Sequence, residues 1–240
     1  MITLPEDLVD NQYNSKLVKE ISILSREHFV QMINDVKQKV LRMGALVQNI
    51  IDTAVSAMKE QDLELASKVN DMDDEIDQLE LEIEKECMMI IALQQPLAKD
   101  LRTVASILKI ITDLERMGDH AVNISKITHE IGKEPLIKPL VDIPKMADIA
   151  QEMIKMSLDA FLNEDIALAE KAAERDEEVD QLYETVLNDI ISVITEKKEA
   201  TRQGTKLMFL GRYLERIADH STNICERTIY MITGELKEIN

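Results

Sequence analysis

Acidic residues recur in pairs along the chain, and the two carboxylates of each pair are four residues apart. In an α-helix this spacing places both side chains on one face. We name the four acids of each half of the chain an acid set. The first acid set is Asp73, Asp77, Glu115 and Asp119, and the second acid set is Asp176, Asp180, Glu215 and Asp219. Each half therefore offers two carboxylate pairs, each on a single helix face.

The two pairs of one acid set are expected to lie at the same height in a helical hairpin. In the first half the pairs are centred on positions 75 and 117, and halfway between them Pro96 breaks the helical pattern. In the second half the centres are 178 and 217, and the midpoint falls inside the polar turn from Glu196 to Glu199. At ~1.5 Å per residue, both pairs stand ~30 Å from the turn. Four carboxylates are therefore predicted to converge in each half.

Such a convergence of carboxylates favours a bound metal, because the acids repel one another unless protons or a cation offset their charge. Ligation by oxygen alone favours a hard cation such as Mg²⁺, Mn²⁺, Ca²⁺ or iron over structural zinc. The Glu-x-x-His pattern of ferritin-like di-iron bundles is absent, since positions 118 and 218 are Gly and Ala. Helical-wheel positions place the acids beside the core stripe, so the predicted sites lie in outer grooves.

The alternative is that these acids form a solvated helix face, the usual role of charged runs in a chain that is 31% charged. The matched heights and the recurrence in both halves favour metal binding. His120 and His220 follow the acids directly and are interpreted as hydrogen-bonded structural residues, with metal ligation as the second reading. Arg116 and Arg216 are expected to neutralise the carboxylates, or to form an anion site.

The composition favours helices and excludes nucleic acid as a ligand. The 240 residues include only 6 Gly, 5 Pro and no Trp, which disfavours turns and β-structure. With 28 Lys and Arg against 46 Asp and Glu, the formal net charge is −18. The longest stretch without charge, from Cys87 to Ala98, is far shorter than the ~20 residues that span a bilayer. We therefore expect a cytoplasmic protein without direct membrane insertion, with Cys87 and Cys225 in its core.

Apolar residues recur at helical spacing from about Arg26 to Met231 and predict six helices. The segment LERMGDHAVNI at 114–124 aligns with LERIADHSTNI at 214–224, with seven of eleven positions identical. We therefore predict an all-α protein with two pseudo-symmetric three-helix bundles that arose by internal duplication. Its predicted segments are an N-terminal extension (1–25), a first three-helix repeat (26–131), a linker (132–144) and a second three-helix repeat (145–240).

Local signals also predict where several helices begin and end. Asp62 is expected to cap the second helix, and the run around Pro96 to separate the second helix from the third. Pro144 suits the start of the fourth helix. The fifth helix is expected to run from about Asp165 to Ile194. Residues 1–25 match nothing in the second half and have no assigned role.

With DDEIDQL at 73–79, DEEVDQL at 176–182 and the QQPLAKDLR turn at 94–102, the repeated segments resemble the PhoU family of phosphate-signalling regulators. The resemblance covers residues 26–233 and implies two three-helix bundles, each with a multinuclear cluster of iron or zinc on its surface. It implies that all eight acids of the two sets are metal ligands. The chain departs from the pattern at its N-terminal segment and at the second turn, where TEKKEATRQG replaces QQPLAKDLR.

The same resemblance implies a negative regulator that links the ATPase subunit of a phosphate ABC transporter to a sensor histidine kinase. Two other classes remain open from the residues, namely a carboxylate-metal hydrolase or oxidase and a metal-free helical scaffold. The enzyme lacks support, because no nucleophile with an adjacent base and no glycine-rich phosphate loop is found. We therefore expect a metal-containing regulatory adaptor and not an enzyme, active as a homodimer.

Overall fold

All regular structure in residues 7–239 is helical. The computed structural model describes the backbone of residues 7–239 and the side chains of residues 26–239. Within this part no helix combines the length and the apolar character that a bilayer span requires. The helices are α1 (Asp7–Glu60), α2 (Leu63–Gln94), α3 (Lys99–Ile131), α4 (Asp142–Asn163), α5 (Ile166–Ala173), α6 (Asp176–Glu196) and α7 (Thr201–Thr233). The predicted role of residues 1–25 as an extension lies outside the described side chains.

Short capping interactions explain where the helices begin and end. The Asp62 carboxylate accepts hydrogen bonds from the backbone N–H groups of Glu64 and Leu65, both at 3.0 Å, as the sequence predicted. Asp165 caps α5 in the same way, accepting from the Leu168 N–H at 3.0 Å. These bonds satisfy N–H groups that have no partner within the helix. The turn before Pro96 is made by Gln95, which adopts a left-handed conformation with φ of 46°.

The fifth predicted helix is interrupted, which is a correction to the sequence prediction. The structure has α5 and α6 in its place, with Glu174 and Arg175 between them. The Arg175 side chain forms ion pairs with Glu152 on α4 and with Glu178 in the first turn of α6. The equivalent stretch of α2 continues without a break. Asp176 therefore begins a helix, whereas the equivalent Asp73 lies inside one.

The two repeats pack around one continuous core. Helices α1, α2 and α3 contact one another, and α4 to α7 repeat this arrangement. Equivalent helices also meet across the repeats, because α3 packs along α7 and α1 packs against α4. Buried apolar residues from both repeats form a single cluster, with a small second cluster around Ala169 and Cys225. The predicted all-α duplicated architecture is confirmed, and its two halves share their interior.

The linker between the repeats is attached to α7. The Gln203 side chain is buried, accepts a hydrogen bond from the Ile137 N–H at 2.6 Å and donates one to the Pro135 carbonyl at 3.1 Å. The linker side chains Leu136, Ile137 and Leu140 pack against the core. Because α4 already begins at Asp142, it starts two residues before the Pro144 that the sequence favoured.

Candidate metal-binding site

The first acid set lies where α2 passes close to α3. Gly118 of α3 allows this approach, because a Cβ atom at this position would be 2.7 Å from the Asp73 Oδ1 atom. That Asp73 oxygen is buried and has no hydrogen-bond partner in the described structure. Asp77, one turn further along α2, is exposed. The set therefore runs from a partly buried carboxylate to an exposed one.

The acids of the first set perturb one another across the two helices. Burial, together with the neighbouring charges of Asp77 and Asp119, raises the pKa of Asp73 to about 6. Burial also raises the pKa of Glu115 to about 7, with contributions from Asp119 and Asp77. The pKa of Asp77 is raised by burial and by Asp119. The predicted convergence is thus present as an electrostatic coupling, which a cation would relieve.

The second acid set is more deeply buried than the first. Asp176 is 4% exposed and Glu215 is 8% exposed. Burial raises the pKa of Asp176 to about 7, and the charges of Asp219, Asp180 and Glu215 add to this effect. The pKa values of Asp180 and Glu215 are also raised, first by burial and then by Asp219. All four predicted acids are therefore coupled in this half as well.

The prediction that both sets lie in outer grooves is only partly correct. Asp77 and Asp180 are exposed, but Asp176 and Glu215 are buried. In the second repeat these two acids lie where α6 packs against α7, whereas their equivalents Asp73 and Glu115 are only partly buried. The second set thus has a buried end and an exposed end, whereas the first runs from partly buried to exposed.

The side chains as placed do not close around one ion. Within the described residues, no group of three or more His, Cys, Asp or Glu side chains has the geometry to hold a metal. The donor chemistry nevertheless suits a cation, since the Asp73 Oδ1 and Glu215 Oε2 atoms are buried without hydrogen-bond partners. Buried carboxylate oxygens of this kind are costly unless a proton or cation satisfies them. The residues therefore fit a metal in chemistry, with side-chain rotation required to complete its coordination.

Arginines accompany both sets, as the sequence predicted. The Arg116 Nη1 atom lies 3.0 Å from an Asp119 oxygen, and its Nε atom lies 3.4 Å from Glu115. Arg216 is 3.6 Å from Asp219. Arg212 forms a further ion pair with Glu215 that the sequence analysis missed. Its position three residues before Glu215, on the same helix face, is the signal that could have revealed it.

A fifth acid near the first set was also missed. Glu80 follows Asp77 by three residues and accepts a hydrogen bond from the Thr112 hydroxyl at 3.3 Å. Its charge contributes to the raised pKa of Glu115, so it faces the same group of carboxylates. The i, i+3 spacing from Asp77, which also places two side chains on one helix face, is the signal in the sequence that could have revealed it. Glu80 therefore extends the first acid set along α2.

The two histidines lie between the acid sets, where α3 meets α7. His220 Nδ1 is 2.9 Å from an oxygen of Asp113, which also accepts a hydrogen bond from the Asn223 amide at 3.0 Å. His120 stacks on Tyr213, with 5.7 Å between the ring centres, and lies 5.5 Å from the His220 ring. Burial and the nearby His220 lower the pKa of His120 to about 4. The structural interpretation is confirmed for His220, and Asn223 points to the repeat interface.

The similarity of the chain to known proteins agrees with this duplicated arrangement. Residues 40–128 and 143–228 each match the PhoU domain family. The chain belongs to the PhoU family. The phosphate-specific transport system accessory protein PhoU homologue of Clostridium acetobutylicum is 37% identical over 218 residues, which cover 90% of this chain and 100% of the relative. The homologue of Aquifex aeolicus is 41% identical over 204 residues, which cover 85% of this chain and 92% of the relative.

Solved PhoU structures have the same fold. The crystal structure of PhoU from Pseudomonas aeruginosa superposes with a TM-score of 0.82 at 35% identity, covering 86% of this chain and 100% of that chain. The phosphate transport system regulatory protein PhoU from Streptococcus pneumoniae gives a TM-score of 0.81 at 33% identity, covering 87% and 99%. The resemblance and the all-helical duplicated fold are thereby confirmed. As a PhoU homologue, the chain is a regulatory protein and not an enzyme.

Proposed function

We propose that this PhoU-family protein is a metal-binding, cytosolic regulator of phosphate uptake and phosphate-starvation signalling. It acts as a negative-regulatory adaptor between the ATPase subunit of a phosphate ABC transporter and a sensor histidine kinase. The role in phosphate transport is supported by relatives that are phosphate-specific transport system accessory proteins. Metal binding is supported by one structural observation, namely that both repeats place mutually destabilising carboxylates at equivalent positions.

The eight acids of the two sets would hold the metal, with one site in each repeat. A bound cation would supply positive charge between α2 and α3, and between α6 and α7, where the structure has an excess of carboxylates. The all-oxygen donor set accepts Mn²⁺, Mg²⁺ or Ca²⁺, and the proposed physiological groups are multinuclear clusters of iron or zinc. Metal bound by these acids would hold α2 against α3 and α6 against α7. The arrangement of these helices would in turn determine the surface that the adaptor presents to its partner.

The charge of the molecule favours a protein partner over a lipid surface. A body with a formal net charge of −18 is repelled by the anionic cytoplasmic leaflet. Membrane association would therefore depend on a transporter or kinase subunit with a basic or amphipathic surface. We further propose that the regulator functions as a homodimer, with the metal sites of each subunit formed within its own chain.

Elemental analysis of untagged protein tests the metal part of this proposal. We expect bound metal in the purified protein, and Asp77→Asn should reduce the metal content of the first site while leaving the second nearly intact. Asp148→Asn is the matched control, because Asp148 is an exposed acid on α4 outside both sets. Protein that carries no metal and whose stability ignores chelators would instead be a metal-free helical scaffold. Equal metal loss at both sites in Asp77→Asn would contradict the assignment of one site to each repeat.

Co-sedimentation with membranes tests the adaptor part. The protein should sediment at physiological salt with membranes that contain the phosphate transporter and the sensor kinase, and much less with membranes that lack them. Replacing acids of the two sets should weaken this association. Equally strong binding to bare anionic vesicles would contradict the adaptor mechanism, since the partner proteins would then be unnecessary.

A further inference from the structure

The two acid sets have different neighbours at equivalent positions. In the first repeat, Glu80 on α2 receives a hydrogen bond from Thr112 on α3. In the second repeat, Tyr183 replaces Glu80 and Arg212 replaces Thr112. The Tyr183 ring fits against Gly211, where a Cβ atom would be 2.9 Å from the ring. Tyr183 thus packs against α7 at the position where Glu80 accepts a hydrogen bond from α3 in the first repeat.

These neighbours give the two sets different charges. The first set has five carboxylates when Glu80 is included, with Arg116 as its paired arginine. The second has four carboxylates, paired with Arg212 and Arg216. One carboxylate more and one guanidinium fewer are partly offset by Lys126, whose positive charge acts on Asp73, so the first set is more negative by one charge. Flanking acids do not remove the difference, because Glu84 lies near the first set and Glu184 near the second.

Helix geometry adds to the inequality. Asp176 is the first residue of α6, where the partial positive charge of a helix N-terminus favours an anion. The equivalent Asp73 lies within the continuous helix α2 and has no such support. Both the helix end and Arg212 therefore already offset negative charge in the second set. In the first set, Arg116 pairs with Glu115 and Asp119, and the charge of Lys126 acts on Asp73.

Arg212 forms an ion pair with one of the buried carboxylates of the second set. Its guanidinium binds the Glu215 Oε1 atom, and only 11% of the Glu215 side chain is exposed. The other oxygen, Oε2, is buried without a hydrogen-bond partner in the described structure. A cation that binds both oxygens of Glu215 must displace Arg212. In the first repeat Thr112 carries no charge, and Glu115 is contacted instead by the more exposed Arg116, whose Nε atom lies 3.4 Å from the carboxylate.

We infer that the two acid sets are unequal cation sites, of which the first binds more tightly because Glu80 is an additional ligand, whereas Arg212 is an internal competitor at the second. This inference rests on the proposed metal-binding function. It assigns Glu80 a role that its repeat partner Tyr183 cannot share. It also makes occupation of the second site depend on release of the Arg212–Glu215 pair, so the second site fills at higher metal concentration.

Titration with Mn²⁺ tests the inequality, with the free ion measured by electron paramagnetic resonance. The wild-type chain should show two classes of site whose dissociation constants differ by about tenfold or more, as an extra ligand and a lost competitor predict. Asp180→Asn should remove the weak class, and Asp77→Asn the tight class. Glu80→Gln should weaken the tight class alone.

Exchange of the equivalent residues Arg212 and Thr112 tests whether competition by the arginine causes the difference in affinity. Arg212→Thr should strengthen the weak class by about tenfold, whereas Thr112→Arg should weaken the tight class by a similar factor. Arg212→Lys keeps the charge and should stay close to wild type, which distinguishes competition from lost packing. Circular dichroism and urea unfolding of each variant verify that it is folded.

Three results would overturn the inference. Equal dissociation constants in the wild type, an unchanged weak class in Arg212→Thr, or loss of the tight class in Asp180→Asn would each contradict it, while metal binding itself would stand. Absence of any Mn²⁺ binding would contradict both the inference and the metal part of the proposed function. The two failures are therefore distinguishable in one titration.

Discussion

His120 and His220 are equivalent residues of the two repeats, but they contact different partners. The difference originates at a single equivalent position, which is Asp113 in α3 and Tyr213 in α7. The carboxylate binds His220, and the phenol ring stacks on His120. Both repeats thus contain the histidine, but the residue that contacts it differs between them. The contact between α3 and α7 is consequently polar on one side of the histidine pair and aromatic on the other.

Asp113 should stabilise this contact measurably. Its side chain is 16% exposed and joins α3 to both His220 and Asn223 of α7. We expect Asp113→Ala to lower the free energy of unfolding by ~1–3 kcal/mol, because two partly buried groups lose their partner. Urea denaturation measures the change. Asp148→Ala, at an exposed position on α4, should change it little, and equal effects of the two variants would contradict a role in joining the repeats.

The stability of the metal-free protein should depend on pH through its buried acids. The pKa of Asp73 is raised to about 6 when folded, so the folded state favours its protonated form. Its contribution to stability is present below the ordinary pKa near 4 and is lost as the pH rises through about 6. The pKa of His120 is lowered to about 4, so its contribution has the opposite sign. That contribution is present above the ordinary pKa near 6.5 and is lost as the pH falls through about 4. Comparison with a variant of Asp73 removes the histidine contribution.

Asp73→Asn should therefore gain stability relative to the wild type as the pH rises. After allowance for solvent screening, we expect a relative gain of ~1 kcal/mol between pH 4 and pH 8 in chelator-treated protein. Unfolding in urea at a series of pH values measures it, with Asp148→Asn as the control. A relative stability that is constant with pH would show that the Asp73 carboxyl is not strained in the folded state.

For individual residues, the types and spacing of the acids could be predicted from the sequence. How deeply each acid is buried is seen only in the structure. The eight acids follow from i, i+4 pairs in a recognisable repeat. The burial of Asp176 and Glu215 did not follow, because it depends on the tertiary packing of α6 against α7. The Arg212–Glu215 pair depends on which rotamer a long side chain adopts, which spacing alone does not determine. Whether the eight acids ligate metal stays a prediction.

Helices whose ends are made by local bonds were predicted well from the sequence. The Asp62 cap and the break at Pro96 depend on residues within a few positions of the helix end. The division of α5 from α6 was missed, because the apolar pattern continues through Glu174 and Arg175. At this break, Arg175 forms an ion pair with Glu152, a residue 23 positions away on α4. Such a contact is tertiary and carries no local signal.

The linker should lose much of its attachment when Gln203 is replaced. Gln203→Ala removes both hydrogen bonds to the linker and leaves the Ile137 N–H without its partner. We expect the free energy of unfolding to fall by ~1–3 kcal/mol. Hydrogen exchange should locate the change at residues 135–137. Thr205→Ala is a suitable control, since this exposed hydroxyl binds only within α7, at the Thr201 carbonyl.

The packing of the whole molecule depends on close contact between equivalent helices of the two repeats. Gly44 of α1 lies against Leu158 of α4, and a Cβ atom at Gly44 would overlap the Leu158 side chain. Leu158 is buried in the shared core. The contact between α1 and α4 therefore requires glycine at this position, although glycine is unfavourable inside helices.

Gly44→Ala should destabilise the protein despite its higher helix propensity. We expect a loss of ~1–3 kcal/mol from the overlap, which outweighs the ~1 kcal/mol gained in propensity. Leu158→Ala alone should cost ~2–5 kcal/mol, and the double variant should be more stable than the sum of the two losses predicts. Urea denaturation of the four proteins completes the cycle. Strict additivity would show that the two residues do not oppose each other.

Because the core is continuous, the repeats should unfold together. In differential scanning calorimetry the metal-free chain is expected to show one transition, with a ratio of calorimetric to van't Hoff enthalpy of about one. A fragment of residues 26–131 should lack a cooperative transition, since α3 would expose the surface that α7 covers. Two separate transitions, or a cooperatively folded fragment, would contradict the shared core.

The pairing of α3 with α7 also determines when the fold can be completed during translation. Corresponding residues of the two helices are 100 positions apart in the chain. At ~5–20 residues per second, the ribosome produces α7 roughly 5–20 s after α3. During this interval the apolar surface of α3 remains uncovered on the nascent chain, although the rest of the first repeat has already been made. The first half of this protein is therefore a natural client for chaperones that act during synthesis.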